Sequence, residues 1–231
     1  MTNRSKLQQV LKKTANGKTF NLAENKQQHW YYDFKTTLNF LQAKGQERFG
    51  HQFKIEATDH ELIYKLCILM IQDEVNAQKN GLQLNKGILL SGPVGVGKTS
   101  LMQLIPEICY QPPLYQLVPT REIIFAYNEH GSKIITQYGS HNTYCFDDLG
   151  LEPTGRFYGK DANVMAEVML SRYEYYRKCY RQKYFFKRKV AHFTTNLNAS
   201  EIEKRYGKRV RSKLREMLNL IAFNAETKDK R

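Results

Sequence analysis

The 231-residue sequence has no apolar run close to the roughly twenty residues that a membrane-spanning helix needs. Its N-terminal stretch is polar and rich in amides, so it lacks the apolar block of a secretory signal peptide. These two absences argue against a membrane protein and against a secreted one. We therefore expect a cytoplasmic protein with no membrane partner.

Cysteine is also scarce. The four cysteines, Cys67, Cys109, Cys145 and Cys179, lie far apart in the chain, and none forms a C-x-x-C pair. The spacing excludes a zinc ribbon and a thiol-disulfide redox motif. We expect these side chains to be reduced thiols in or near the core.

Acidic residues are few compared with basic ones. The chain has 22 Asp and Glu against 36 Lys and Arg, which gives a formal net charge of +14. So large an excess in a chain without a membrane segment favours a polyanionic partner. Nucleic acid, here DNA in single- or double-stranded form, is the leading candidate.

What the sequence does contain is a glycine-rich motif after a short apolar run. The stretch GILLSGPVGVGKTS covers residues 87–100, and residues 92–99 match G-x-x-x-x-G-K-[ST] at every fixed position. The apolar residues before it predict a buried strand, and those after it predict a helix. Strand, glycine loop and helix are the context in which this motif binds phosphate. The candidate nucleotide-binding residues are Gly92, Pro93, Val94, Gly95, Val96, Gly97, Lys98, Thr99 and Ser100.

Each part of this motif has a physical role in binding a nucleoside triphosphate. The glycines let backbone N–H groups approach the phosphates closely, and Lys98 reaches the β- and γ-phosphates. Thr99 offers a hydroxyl to Mg²⁺. The sequence therefore predicts ATP and Mg²⁺ as cofactors.

The rest of the chain predicts an α/β fold with a parallel sheet flanked by helices. Apolar residues recur at helical spacing after Asp59, up to a turn at residues 80–81. Strands and helices then alternate, as in parallel sheets. Strands are predicted at 87–90, 114–118, 144–146 and 189–193, with a helix at 121–127. A change in composition near residues 50–58 predicts an N-terminal extension, residues 1–57, that binds a partner, followed by an ATPase domain, residues 58–231.

Polar residues follow two of the predicted strands. Asp147 and Asp148 come after the strand at 144–146, and open α/β sheets place their chemistry at such strand ends. We assign Asp147 to Mg²⁺ and Asp148 to the attacking water. After the strand at 189–193, Asn196 is the candidate contact to the γ-phosphate or to that water, although a simple turn would also explain the segment. His192 lies inside the strand and is predicted to be a core residue rather than a ligand.

Two segments, 171–189 and 203–216, hold much of the positive charge. The first interleaves tyrosines with basic residues, a pattern that suits single-stranded nucleic acid. For its tyrosines, Tyr173, Tyr176 and Tyr180, we favour a packing stripe at helical spacing. For its charges we favour DNA. The candidate DNA-binding residues are Arg181, Lys183 and Lys187.

The motifs GPVGVGKT, CFDDLG, HFTTNL and RYGKRVRSKLREM occur in this order. Together they resemble the DnaC-type helicase loaders and the IstB-type transposition helper ATPases, a branch of the AAA+ superfamily. The resemblance covers about residues 58–223. It implies a P-loop NTPase of AAA+ type that binds ATP between neighbouring subunits of a homo-oligomer and acts on DNA for a replicative helicase or a transposase.

The chain departs from this family at two places. The family usually carries an arginine that reaches a neighbour's ATP where this chain has Lys213, and lysine lacks the planar guanidinium fork. We assign the trans-acting role to Arg209, with Arg211 and Lys213 as alternatives. The family often ends in a helical lid with a sensor arginine, whereas only NAETKDKR follows Phe223. We therefore expect a reduced C-terminal lid, in which Lys228, Lys230 or Arg231 approximates the sensor.

Two other classes of function stay open. A small-molecule P-loop kinase would explain the loop and the acids but has no use for the charge of +14. An adaptor that coats DNA under the control of ATP would show ATP-dependent filaments with little turnover. The sequence does not separate a helicase loader from a transposition helper.

Overall fold

The structure is a computed structural model, which describes residues 9–110, 115–140, 142–181, 190–224 and 226–230. Its described part contains a small antiparallel sheet near the N-terminus and a larger parallel sheet that carries the phosphate loop. No helix in these ranges is long and apolar enough to cross a membrane.

The N-terminal part forms three antiparallel strands and one helix. The strands are β1 (Val10–Ala15), β2 (Lys18–Lys26) and β3 (His29–Tyr32), and α1 (Phe34–Phe49) packs against them. The two-residue turn between β1 and β2 has positive φ angles, 48° at Asn16 and 71° at Gly17, as tight hairpins require. Helix α1 begins at the cap residue Asp33, whose side chain accepts a hydrogen bond from the backbone N–H of Thr36.

The next segment corrects one prediction. The apolar pattern after Asp59 predicted a single helix, but the structure has a 3₁₀ turn (Ala57–Asp59), α2 (His60–Ile71) and α3 (Glu74–Lys79). The break occurs at Gln72, which adopts a left-handed conformation with φ of 59°. Asp73 then caps α3 by accepting a hydrogen bond from the backbone N–H of Asn76. The new cap explains why the chain stops and restarts there.

The large sheet has five strands in the order β10-β4-β9-β6-β5, and all of its neighbouring pairs are parallel. The strands are β4 (Gly87–Ser91), β5 (Gln116–Pro119), β6 (Tyr144–Leu149), β9 (Ala191–Thr195) and β10 (Leu218–Ala222). Two predicted strand ends were misplaced: β6 runs to Leu149 rather than ending at 146, so that it contains Asp147 and Asp148, and β9 runs to Thr195 rather than ending at 193. The predicted strand starts at 114 and 189 lie outside the described residues.

Helices and a hairpin connect these strands. They are α4 (Lys98–Leu104) with a 3₁₀ turn (Ile105–Ile108), α5 (Thr120–His130), α6 (Ser132–Gly139), hairpin β7 (Gly155–Phe157) and β8 (Lys160–Ala162), α7 (Val164–Arg181), α8 (Ala199–Tyr206) and α9 (Lys208–Met217). The hairpin lies between β6 and α7.

The sheet is buried on both faces. Along β4, Ile88 and Leu90 belong to one hydrophobic cluster, and Leu89 between them belongs to the other. The first cluster joins the sheet to α1, α2 and α4, whereas the second joins it to α5, α7 and α9. Because successive side chains of a strand point to opposite faces, this alternation requires both faces to be covered. The predicted α/β architecture of a parallel sheet flanked by helices is confirmed.

The cysteines and the N-terminal part complete the description. All four cysteines are free thiols; Cys67, Cys109 and Cys145 are buried and Cys179 is half-buried. Leu22 and Phe40 of the N-terminal part belong to the same hydrophobic cluster as the phosphate-loop side of the sheet. The division into residues 1–57 and 58–231 stays a prediction. Among described residues 223–230 there is no helix.

Candidate nucleotide-binding site

The phosphate loop lies where the sequence placed it, between the buried strand β4 and helix α4. Gly95 and Gly97 have φ angles of 81° and 90°, a region that side chains with a Cβ atom rarely adopt. These two conformations turn the backbone tightly at the end of β4. The loop thus has the geometry in which backbone N–H groups can surround an anion.

Lys98 lies within the loop rather than in solvent. The residue is only 5% exposed, and its ammonium donates hydrogen bonds to the carbonyl oxygens of Gly92 (2.9 Å) and Pro93 (2.6 Å). An ammonium at this place in the loop can also donate hydrogen bonds to the oxygens of a β- or γ-phosphate.

Asp147 is the centre of the site. Its carboxylate is buried at the end of β6 and lies 3.0 Å, through either oxygen, from the hydroxyl of Thr99 on α4. The hydroxyl of Thr194 on β9 donates a second hydrogen bond to Asp147 Oδ1, at 2.5 Å. Three segments that are far apart in the sequence therefore meet at one carboxylate.

Asp148, next to it, has a left-handed backbone with φ of 58°. Its N–H donates to the hydroxyl of Thr194 (2.9 Å), and its carbonyl accepts from the hydroxyl of Thr120 (3.0 Å). A non-glycine residue in this region costs about 1–3 kcal/mol, so it persists only where its surroundings hold it. The two threonines hold the Asp148 backbone in this conformation beside the Asp147 carboxylate.

The polar residues that end β9 complete this edge of the sheet. The hydroxyl of Thr195 donates to the carbonyl of Leu149 (2.6 Å), which ties the end of β9 to the end of β6. The side-chain oxygen of Asn196 is buried and has no hydrogen-bond partner among the described residues. Buried acceptors are normally satisfied, so this oxygen is suited to a water molecule or a ligand donor.

The residues present fit a magnesium ion that arrives with a nucleotide. The described residues contain no cluster of three or more His, Cys, Asp or Glu side chains that could hold a metal by itself. Magnesium is commonly held by one or two carboxylates together with substrate phosphates and water. The oxygens of Thr99 and Asp147 supply that kind of partial set.

Sequence reasoning missed two residues of this region. The first is Thr194, whose hydroxyl bridges Asp147 and Asp148; it was overlooked because β9 was expected to end before it. The second is Glu152, whose buried carboxylate accepts hydrogen bonds from the backbone N–H of Gly150 (2.8 Å) and the hydroxyl of Tyr206 on α8 (2.5 Å). Arg205 also pairs with Glu152. No local pattern in the sequence marks such a long-range contact.

Buried titratable groups near the sheet are held in their neutral forms. Burial lowers the pKa of His192 to about 3, and its ring packs against that of Tyr115 with centroids 4.8 Å apart. His192 is therefore a neutral core residue, as predicted. Burial, and after it the charge of Asp147, raises the pKa of the Cys145 thiol well above its ordinary value.

The basic residues of α9 differ in their surroundings. Arg211 pairs with Glu203 at 2.5 Å, and the ammonium of Lys213 lies 4.0 Å from the centre of the Tyr173 ring. Arg209 is exposed and makes no hydrogen bond or ion pair to another described residue. Of the three candidates for a trans-acting cation, Arg209 is thus the one whose side chain has no partner within the described chain.

The candidate DNA-binding residues are only partly described. Arg181 is the last residue of α7, and its side chain lies outside the described part, as do Lys183, Lys187 and the side chain of Tyr180. Tyr173 is only 2% exposed and Tyr176 packs against the second hydrophobic cluster, so these two tyrosines form the packing stripe that the sequence predicted.

No protein-family model and no curated protein sequence matches this chain. Among solved structures, the chain is similar to a DnaC helicase loader, with a TM-score of 0.49 and 18% identity over 74% of this chain and 93% of the other. It is also similar to DnaA from Aquifex aeolicus bound to AMPPCP, with a TM-score of 0.41 and 17% identity over 73% of this chain and 48% of the other. A third similar structure is the replication initiator DnaA bound to AMPPCP and single-stranded DNA, with a TM-score of 0.45 and 16% identity over 77% of this chain and 50% of the other.

The first of these structures is of the helicase-loader type that the motifs resemble.

Thr194→Val should leave ATP binding within about threefold of the original while turnover falls at least about tenfold. Valine keeps the shape but removes the hydroxyl that holds both acids, and unsatisfied buried partners cost about 1–3 kcal/mol. Calorimetric ATP titration and a phosphate-release assay measure the two effects. Thr194→Ser, which keeps the hydroxyl, should restore turnover; equal turnover in Val and Ser variants would contradict the bridging role.

Proposed function

We propose that this protein is a magnesium-dependent ATPase that binds ATP at the interface between neighbouring subunits and acts on DNA, where it loads or regulates a replicative helicase or a transposase. The observation that carries the ATPase assignment is the meeting of the phosphate loop with Asp147 through the hydroxyl of Thr99. A glycine-rich turn without a nucleotide site has no need to join a buried carboxylate on another strand.

In this proposal the loop amides and Lys98 bind the β- and γ-phosphates. The ammonium of Lys98 then donates to phosphate oxygens instead of to the carbonyl oxygens of Gly92 and Pro93. Thr99 and Asp147 hold Mg²⁺ against the phosphate oxygens. The ion, when bound, neutralises negative charge that develops on the phosphates. Ser100 and the remaining loop residues shape the pocket.

The attacking water is assigned to Asp148 and Asn196. Asp148 accepts a proton from the water or orients the water. The side-chain oxygen of Asn196, which has no hydrogen-bond partner among the described residues, accepts a hydrogen bond from the same water. Thr194 positions Asp148 through the backbone N–H rather than touching the nucleotide. The left-handed backbone of Asp148 fixes the direction in which its carboxylate leaves the strand.

Arg209 is proposed as the cation that reaches a neighbour's ATP. Its exposure and lack of a partner in the described chain support this choice, because Arg211 is engaged by Glu203 and Lys213 by the Tyr173 ring. Such an arginine stabilises the charge of the transferred phosphoryl group. The role requires a homo-oligomer in which α9 of one subunit faces the loop of the next.

The DNA and partner assignments rest on charge and on the sequence motifs. The net charge of +14 favours a polyanion, and the contacts are proposed at Arg181, Lys183 and Lys187. The partner is proposed to bind residues 1–57. Co-purification from the native host, scored for a helicase or a transposase, decides between the two partners. DNA-independent phosphorylation of a nucleoside would instead favour the kinase.

Lys98→Ala and Asp148→Asn should have separable effects. The first removes the charge that binds the β- and γ-phosphates and should weaken ATP binding at least about tenfold. The second spares the loop and should leave ATP bound while turnover falls about 100-fold, the effect expected when a general base is lost. Equilibrium binding and phosphate release measure both. Unchanged ATP affinity in Lys98→Ala would refute the site, and full turnover in Asp148→Asn would move the base elsewhere.

ATPase activity per subunit should rise with protein concentration and with DNA, because subunits must align to complete the site. Arg209→Ala should bind ATP normally but hydrolyse it at least about 1,000-fold more slowly, the lower range for loss of a trans-acting arginine. Arg215→Ala, an exposed arginine on the same helix, is the matched control and should stay active. Phosphate release is measured across a concentration series.

Mixing inactive Arg209→Ala with inactive Lys98→Ala should recover activity, since one mixed interface pairs an intact loop with an intact arginine. Lys213→Arg tests the usual position of the family: a gain in turnover would show that residue 213 also faces the phosphate. If mixtures stay inactive and activity per subunit is independent of concentration, the trans-acting assignment is wrong.

Binding to DNA should weaken steeply with salt, because each neutralised phosphate releases counterions. Charge reversal at Arg181, Lys183 and Lys187 should lower affinity similarly for all DNA sequences and should reduce the salt slope, as measured by fluorescence anisotropy. Reversal at three exposed lysines elsewhere, Lys18, Lys35 and Lys79, changes the net charge equally and should have a smaller effect. Binding that is insensitive to salt, or equal in both triple variants, would contradict the assignment.

A further inference from the structure

The chain after β10 returns to the phosphate loop. The N–H of Phe223 donates to the carbonyl of Ser91 at the end of β4 (2.8 Å), and its side chain packs where a Cβ atom on Gly92 would lie. The chain then turns, with the N–H of Thr227 donating to the carbonyl of Asn224 (3.0 Å). Residues 226–230, which we call the strap, run back over the loop.

The strap places a carboxylate on the loop. The N–H of Lys230 donates to the carbonyl of Gly95 (3.1 Å), in the middle of the phosphate loop. Beside it, the side chain of Asp229 occupies the space that a Cβ atom on Gly95 would fill, so both of its oxygens lie against the loop backbone. A carboxylate is an anion with acceptor oxygens, as a phosphate is. Asp229 therefore brings a negative charge against the backbone of the loop that is proposed to bind the phosphates.

The end of the strap is anchored at the start of α2. The ammonium of Lys230 pairs with the carboxylate of Asp59, whose side chain is 5% exposed, at the start of α2. The same ammonium lies 5.4 Å from the centre of the Phe223 ring. These contacts tie the chain after β10 to β4 by Phe223 and to the start of α2 by Lys230.

We propose that residues 226–230 are an autoinhibitory strap, in which Asp229 occupies the phosphate loop and must leave before a nucleoside triphosphate binds. The inference rests on the proposed function, since it concerns regulation of the same site. Two anionic groups compete for one loop, and their charges repel at short range. Displacement breaks the backbone bond to Gly95 and frees Lys230 from Asp59, so binding of nucleotide exposes the strap.

Closure of the strap lowers the apparent affinity for ATP by the fraction of molecules that are open. If the strap is closed in about 70–90% of molecules, apparent affinity is reduced about threefold to tenfold. A mutation that opens the strap should therefore raise the apparent affinity for ATP by the same factor.

Asp229→Asn should therefore bind ATP about threefold to tenfold more tightly than the original protein, by calorimetric titration. Glu226→Gln is the matched control, because it removes one negative charge from an exposed residue of the same strap without a contact to the loop. Its affinity should stay within about twofold of the original. Lys230→Met, which removes the anchor to Asp59, should tighten binding as Asp229→Asn does.

Exposure of the strap can be measured independently. Saturating ATP should accelerate trypsin cleavage after Lys228 and Lys230, followed by intact-mass spectrometry of the full chain. In Lys98→Ala, which should not bind ATP at the same concentration, the cleavage rate should not respond. In Asp229→Asn, cleavage should already be fast without nucleotide.

The outcomes separate this proposal from the proposed function. If the original protein binds ATP in a manner that depends on Lys98 but Asp229→Asn, Lys230→Met and Glu226→Gln bind equally well, the strap is wrong and the ATP site stands. If no variant binds ATP, both are wrong. Both proposals are supported if Asp229→Asn and Lys230→Met bind ATP more tightly, Glu226→Gln does not, and adding Lys98→Ala abolishes the binding.

Discussion

The site depends on one buried carboxylate that is shared by two hydroxyls. Asp147 ends β6 and accepts hydrogen bonds from Thr99 at the phosphate loop and from Thr194 at the end of β9. Burying a carboxylate without hydrogen-bond donors would cost folding free energy, so Asp147 needs these two partners. The strand order places β9 beside both β4 and β6, and this is what brings the three residues together. Because the strands are parallel, they all end at the same edge of the sheet, and the sheet thereby brings these side chains together.

The same edge holds residues in conformations that only their neighbours can maintain. Asp148 has a left-handed backbone, and the two threonine hydroxyls that fix it come from β9 and from the start of α5. The loop glycines Gly95 and Gly97 need no such support, because they have no Cβ atom. The edge of the sheet thus combines a strained backbone that two hydroxyls hold with glycines that adopt positive φ angles freely.

Much of this arrangement could be predicted from local sequence. The phosphate loop, the acids in the last part of β6 and the parallel sheet follow from short sequence patterns: glycine spacing, buried apolar runs and alternation of strands with helices. The break of α2 at Gln72 was not predicted, because the turn at residues 80–81 was taken as the end of one helix; the structure shows it as a left-handed φ angle at Gln72 followed by the cap residue Asp73. The bridging role of Thr194 was hidden by a strand end misplaced by two residues. Glu152 was not predicted because its side-chain partners, Arg205 and Tyr206, lie more than fifty residues away in the sequence.

Glu152 is the residue through which the nucleotide site and the basic helices are joined. One carboxylate oxygen accepts from Gly150, in the turn that follows Asp148, and the other accepts from Tyr206 at the end of α8. Only Gly207 separates α8 from α9, which carries Arg209. Removing one partner of a buried charge costs several kcal/mol, so these contacts hold the turn and α8 as one unit. The turn after Asp148 and the helix pair α8 and α9 are therefore held together by one buried carboxylate.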